Sequence, residues 1–204
     1  MDIIDGFKYL VHKKEIFFLV ILSALVNFFL SGYNLLIPYT DVVFKEEFTG
    51  FYSKILVMEA IGGILGSFIS SKIFVKLGAK YKILIFFLML TGISLVLVPL
   101  ATLTKNIVCC LLPFLAFGTA LTIFNINFMS FVQLNVDEIF LGRVFSIIFT
   151  VAVLFMPIGS FFFSFVSDPT NIISFMFVGG GIVILSVLSR IFIHCQNVAK
   201  NSGK

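Results

Sequence analysis

Charge is what this sequence has least of. Only 12% of its 204 residues are Asp, Glu, Lys or Arg, against about 25% in soluble domains. A water-soluble globular fold is thereby set aside. Disorder is set aside as well, because it needs low hydrophobicity and 60% of this chain is hydrophobic. Cysteine and histidine are also scarce. Cys109, Cys110, Cys195, His12 and His194 have no zinc-site spacing. Neighbouring cysteines rarely pair, so buried or interfacial thiols are expected. Both histidines stand at the ends of apolar runs, where side chains snorkel towards water. No His-Glu-x-x-His pattern, Gly-x-Ser-x-Gly elbow or Walker loop is present. The adjacent acids Glu46 and Glu47 lack a nearby Arg or His to complete an intramembrane protease site. An enzyme is not expected, nor a metal or organic cofactor. The net charge of +4 sits on an apolar chain, so it speaks to membrane topology rather than to a nucleic-acid partner.

Long uncharged runs are what the sequence has in abundance. They cover 16–39, 83–104, 106–136, 144–167 and 169–189, and the apolar stretch 55–71 is interrupted only by Glu59. Each is long enough to cross a bilayer, for which a helix needs about 20 residues. None alternates as a barrel strand would. Backbone groups in hydrocarbon must pair within their own segment, which makes the runs helices. An all-α membrane protein with six transmembrane helices is expected. Pro38, Pro99, Pro113 and Pro157 fall in or near the spans, where membrane helices tolerate proline.

The first span is longer than a signal h-region and no small-residue cleavage site follows it. Ahead of it, Ile3, Ile4, Phe7, Leu10 and Val11 share one helical face, with Asp2, Asp5, Lys8 and Lys13 on the other. The expected organisation is therefore an interfacial amphipathic helix and cytoplasmic lead-in over 1–15, a six-helix bundle over 16–194 and a cytoplasmic tail over 195–204. Lys and Arg set the orientation. Lys8, Lys13, Lys14, Lys72, Lys76, Lys80, Lys82, Arg143, Arg190, Lys200 and Lys204 lie on one side, against Lys45, Lys54 and Lys105 on the other. The positive-inside rule places both termini in the cytoplasm, as an even number of spans requires.

Polar side chains in the spans mark where chemistry could sit. Ser23, Asn27, Ser31 and Asn34 fall within about 80° of one another on the first span. Thr119, Thr122, Ser130 and Gln133 do the same on the fourth, flanked by Asn125 and Asn127. A polar stripe in lipid faces protein or a water-filled cavity. It therefore reads either as a substrate pathway or as polar contacts between helices. Glu59 is the one acid well inside a span. A carboxylate at a helix centre costs about 2.5–3.5 kcal/mol on insertion scales. It reads as a proton relay, or as an acid that reaches outer water or Lys54. Gly62, Gly63 and Gly66, followed by Ser67, Ser70 and Ser71, form a small-residue surface for helix packing, and Gly179, Gly180 and Gly181 form another.

The stretch from Gln133 to Ile147 resembles the loop between the tenth and eleventh helices of major facilitator superfamily exporters, in the branch of macrolide-efflux and enterobactin-exporter-like proteins. Gln133, Val136, Gly142, Arg143, Val144 and Ser146 match that pattern, and Asp137 stands where the family has proline. The opening segment DGFKYLVHKKEIFFLVILSALVNFF is similar to the start of that family's second half. Lys76, Leu77, Gly78 and Lys80 are similar to the superfamily's cytoplasmic Asp-Arg-x-Gly-x-Arg/Lys motif, with Val75 at the position of the Asp. The resemblance implies half of a twelve-helix major facilitator fold, whose substrate cavity lies between two six-helix halves and is lined by the first and fourth helix of each. It further implies proton-coupled efflux of drugs or other small amphipathic molecules, by an antiporter of the multidrug or macrolide type in the cell membrane. The expected partners are then the lipid bilayer, a second six-helix half or a second copy, the substrate and a proton. The stripe residues would line the cavity, with Glu59 in proton coupling. A chain starting at Met1 would be a separately encoded or truncated half, or a portion of a longer protein. The alternative is a non-transporting remnant or a regulatory membrane protein.

Overall fold

The computed structural model describes residues 3–78 and 80–202, with side chains left aside at 3–5, 73–77 and 194–202. Lys76, His194, Cys195 and Lys200 therefore lie outside the described side chains, and Asp2 and Lys204 outside the described residues. The protein is an all-α six-helix membrane protein, with no strand among the described residues.

A short helix α1 (Ile3–His12) leads through Lys13 into α2 (Lys14–Leu36). Pro38 has no amide hydrogen to donate, and α2 gives way there to a 3-10 turn (Ile37–Tyr39) and a last helical turn, α3 (Thr40–Val43). Together these form span 1. Span 2 is α4 (Phe51–Leu77), whose first turn receives the Asp41 carboxylate on the Tyr52 amide at 2.7 Å. Span 3 is α5 (Tyr81–Val96) continued by α6 (Val98–Thr102), with Pro99 in the first turn of α6. Span 4 is α7 (Ile107–Asn135), capped by Asn106, whose Oδ1 accepts from the Val108 amide at 2.9 Å. Span 5 is α8 (Glu138–Val166) and span 6 is α9 (Ser174–Ser202). Six crossings put both chain ends on one face, called the terminal face below.

Three boundaries differ from the sequence reading. Arg143 and Gly142 were expected in a loop, but α8 starts at Glu138, so both lie in its first turns. The loop between spans 4 and 5 is only Val136 and Asp137. Lys76 likewise belongs to the last turn of α4, and the turn that follows is made by Gly78 in the left-handed region (φ +68°). The tail expected at 195–204 continues the helix of α9 as far as Ser202. In each case a charged residue ends the uncharged run without ending the helix, because helical hydrogen bonding continues into the interface.

Neighbours in sequence mostly do not pack. Span 2 lies along span 4, span 1 along span 5, span 3 along span 6, span 3 along span 4, and span 1 along span 6. Spans 1 and 2 meet where the 3-10 turn and α3 touch α4. The resulting order across the bundle is 2-4-3-6-1-5, which leaves spans 2 and 5 at the two ends. Exchanging spans 1, 2 and 3 with spans 4, 5 and 6 reproduces the five lengthwise pairings, though not the smaller contact of spans 1 and 2: 2 with 4 becomes 5 with 1, 3 with 4 becomes 6 with 1, and 3 with 6 maps onto itself. Three crossings separate the members of each exchanged pair, so they run in opposite directions. The fold is therefore an inverted repeat of three spans. Its pseudo-axis passes near Gly92 and Gly179, each of which has the other's carbonyl where a Cβ would go, at 2.7 and 2.6 Å.

Candidate functional site

The two mated interfaces decide where the polar stripes point. Gly62 rests on the Leu115 carbonyl and Thr119, and Gly66 rests on the Thr119 carbonyl and the Thr122 side chain. Gly118 of span 4 returns the contact against the Glu59 backbone. Thus span 2 packs its glycines on span 4, as small-residue packing in membranes requires. The mate of this contact is Gly159 of span 5, which rests on the Phe28 carbonyl and the Ser31 hydroxyl. Gly66 and Gly159 both sit on a carbonyl and on the side chain three residues further on. Gly32 completes the second interface against the Phe163 ring.

The stripes are consequently divided. On span 1, Ser23 and Ser31 are buried, and each donates its hydroxyl to its own helix, at Val20 O (2.8 Å) and Phe28 O (2.7 Å). Asn27 is half-buried and donates Nδ2 to Ser23 O at 2.9 Å. Asn34 is exposed. On span 4, Thr119 and Thr122 are half-buried at the glycine seam, and Thr119 donates to Leu115 O at 2.8 Å. Ser130 is half-buried, while Asn125 and Gln133 are exposed. Asn34, Asn125 and Gln133 are thus the members of the stripe left open. The others are wholly or partly taken up by helix packing.

Glu59 faces span 4 from the same side of α4 as Gly62 and Gly66. Its Oε1 is buried and has no partner among the described residues. Lys54 does not reach it, but donates to Thr49 O at 2.9 Å. Towards the terminal face the seam ends in a buried cross-helix bond, Asn127 Nδ2 to Ser70 Oγ at 3.2 Å. A carboxyl, two threonines and an amide–hydroxyl pair therefore follow one another between two glycine-bearing helices. Sequence reasoning placed Asn127 only beside the stripe, and it had no way to pair it with Ser70. Gly159 was also missed, because a single glycine beside Pro157 carries no motif.

Aromatic side chains bridge spans 1 and 4 near both faces. Away from the terminal face, Tyr33 packs on Phe117 (centroids 4.5 Å) and on Phe175 of span 6 (6.0 Å). Near the terminal face, Tyr81 of span 3 meets Phe18 (6.4 Å) and Phe131 (5.8 Å). The Tyr33 and Tyr81 hydroxyls are both buried without a partner among the described residues. A groove of about 480 Å³ between spans 1 and 6 is lined by apolar side chains such as Phe18, Leu25, Leu188 and Phe192. It lacks the convergent polar groups that fix a small ligand, so it is not the candidate site.

The loop motif is held by α1. The Tyr9 hydroxyl donates to Asp137 Oδ2 (2.9 Å) and accepts from the Asp137 amide (3.0 Å). Lys13 Nζ reaches Asp137 Oδ1 at 3.3 Å and Asn135 O at 3.2 Å. Tyr9 stacks on Phe140 at 4.3 Å, and the Arg143 guanidinium lies over Phe140 at 5.5 Å. Asp137 keeps φ at −64°, the value a proline would impose, but a proline could not supply the amide to Tyr9. The Tyr9 hydroxyl, and then Lys13, hold the Asp137 carboxyl below the ordinary aspartate range. Lys80 and Gly142 are exposed, with nothing within 4 Å of the place a Gly142 Cβ would take. The His12 ring meets Lys8 O at 2.7 Å, a local contact within its own helix. Cys109 and Cys110 are free thiols, and Cys110 Sγ lies 3.6 Å from Ala101 O.

Comparison with protein-family models, with curated proteins and with solved structures finds no match to this chain.

Proposed function

We propose that this chain is one half of a secondary-active, proton-coupled exporter of small amphipathic molecules, working in the cell membrane with both termini in the cytoplasm. The observation that carries the reading is the inverted repeat: the five lengthwise span pairings are unchanged when spans 1–3 are exchanged with spans 4–6. Transporters are repeatedly built from such repeats, with the substrate site at a repeat interface and alternating access by rocking of one bundle against another. The resemblance of the Gln133–Ile147 stretch to major facilitator exporters points the same way. In this reading Asn34, Asn125 and Gln133 line the substrate path, and Glu59 takes up and releases the coupling proton. The partner is a second six-helix half or a second copy of this chain, because the open polar positions need a protein or water neighbour in lipid.

The test is reconstitution at less than one copy per liposome under an imposed proton gradient. No saturable transport is expected from the lone chain. Transport is expected on co-reconstitution with a matching half, or at densities that permit dimers. Saturable transport by single copies would refute the half-transporter reading.

A further inference from the structure

The glycine contacts that bring spans 1 and 5 together, at Ser31–Gly159 and Gly32–Phe163, lie towards the face opposite the chain termini. At the terminal face the hydrogen bonds and ion pair that join the two spans among the described residues run through α1 and Lys13. α1 is joined to span 1 by Lys13 alone. It reaches span 5 through a different set of contacts: Gly6, whose missing Cβ leaves room for the Arg143 Cβ (2.9 Å), the Tyr9–Phe140 stack, and the two hydrogen bonds between Tyr9 and Asp137. Leu10 is fully buried in this contact, whereas Phe7 and Val11, one turn apart, are exposed on another face of the same helix. The helix thus has a bundle side fastened by specific bonds and an apolar edge left for the bilayer surface.

We propose that α1 is a strap that ties the terminal-face end of span 5 to that of span 1, with the Tyr9–Asp137 pair as its fastening. While the strap is fastened, the two ends move as one body. When it is released, span 5 stays packed at the buried Val144, Ile148 and Ala152 and at the glycine contacts further along, and its first turns, ahead of Val144, become free to swing. The two-residue loop Val136–Asp137 carries that swing to the end of span 4. The device is reversible, because the fastening is polar and exposed while Leu10 and the Tyr9 ring supply apolar contact that re-docks the helix. It does not depend on what the protein transports.

Two distances test it in the full chain held in lipid nanodiscs, with the natural cysteines replaced. One spin-label pair, at Lys8→Cys and Ile139→Cys, reads α1 against span 5. The other, at Glu15→Cys and Gly142→Cys, reads span 1 against span 5. Tyr9→Phe retains the ring but removes both hydrogen bonds, and Asp137→Ala removes the carboxylate. A single narrow distance is expected for each pair in the parent. In both variants the population at longer distance is expected to rise about tenfold or more for the first pair, as loss of hydrogen bonds to a charged group implies. The second pair is expected to broaden with it. Unchanged first-pair distances in Tyr9→Phe would overturn the fastening. A released α1 with an unmoved span 1–span 5 distance would overturn the strap.

Discussion

The seam between spans 2 and 4 and the seam between spans 1 and 5 are the same contact built twice, with different chemistry. Seven residues before Gly66 stands Glu59, and seven residues before Gly159 stands Ala152. Where span 2 offers three glycines to two threonines and ends in the Ser70–Asn127 bond, span 5 offers one glycine and fills the remainder with Phe162 and Phe163 against Phe28. The geometry needs only a small residue over a carbonyl. Everything polar beyond that is extra, and it is concentrated on one seam. A fold that required polarity for packing alone would carry it on both. The asymmetry places the buried carboxyl and the cross-helix amide–hydroxyl bond on the seam of spans 2 and 4, and leaves the glycine contact of spans 1 and 5 mainly aromatic.

The largest effect is expected from filling the glycine contacts. Gly66→Leu must displace the Thr119 carbonyl, which has a Cβ position at 2.6 Å. Overpacking costs about 1–3 kcal/mol and more against backbone, so folded protein should be lost, as seen by size exclusion after mild heating. Gly159→Leu should fail equally if the two seams are mates. Gly63→Ala, whose nearest neighbour lies at 3.4 Å, should survive. A tolerated Gly66→Leu beside a lethal Gly159→Leu would break the equivalence.

The second comparison exchanges the chemistry. Glu59→Ala makes span 2 resemble span 5 at the mated position. It should leave the protein at least as stable, since it removes a buried carboxyl oxygen without a partner. In the proposed paired exporter it should abolish proton-driven accumulation while substrate binding persists. Pumping that keeps its pH dependence would remove Glu59 from coupling. A smaller effect follows from Asn127→Leu, which gives up the bond to Ser70. Polar contacts between membrane helices are worth about 0.6 kcal/mol on average, so a shift of that size in a reversible unfolding assay is expected. Ile148→Leu on the apolar seam provides the control.

The smallest effect concerns pH and the Tyr9–Asp137 fastening. The carboxyl titrates below the ordinary aspartate range when folded, so its contribution is present above that range and is lost as pH falls through the lowered value. The charged groups named around it are Lys13, which pairs with it, Glu138 beside it and Arg143 over Phe140. Hydrogen exchange in α1 should be flat between about pH 7 and 5 after correction for the intrinsic rate, and should quicken only below about pH 4. Acceleration near neutrality would assign the fastening to another group.

Much of this architecture is legible from residues alone. The five uncharged runs and the apolar stretch interrupted by Glu59 mark the six spans because a helix in hydrocarbon needs little besides apolar length. The glycines of span 2 announce a close contact. What they cannot announce is the partner, since Gly62 and Gly66 would fit any helix with small residues. The stripe on span 4 was visible, but the same 80° arc includes both the edge of the seam and an open face, so Thr122 and Gln133 have different surroundings on one stripe. Helix ends were misplaced at Glu138 and Ser202 for one reason: charge marks the membrane boundary, and a helix does not have to stop there. Tyr9 and Asp137 lie 128 residues apart, and no local pattern joins them.

Three polar side chains of span 1 bond to their own helix, Ser23 to Val20, Asn27 to Ser23 and Ser31 to Phe28, and this bears on biogenesis. About 100 residues separate the end of α2 from the start of α8, its main packing partner, and synthesis proceeds at about 5–20 residues per second. Span 1 must therefore wait in the bilayer for about 5–20 s before span 5 is made. A helix whose polar side chains required a neighbour would be exposed to misassembly throughout that interval. This one satisfies three of its polar side chains by itself, and so can be inserted early and matched late.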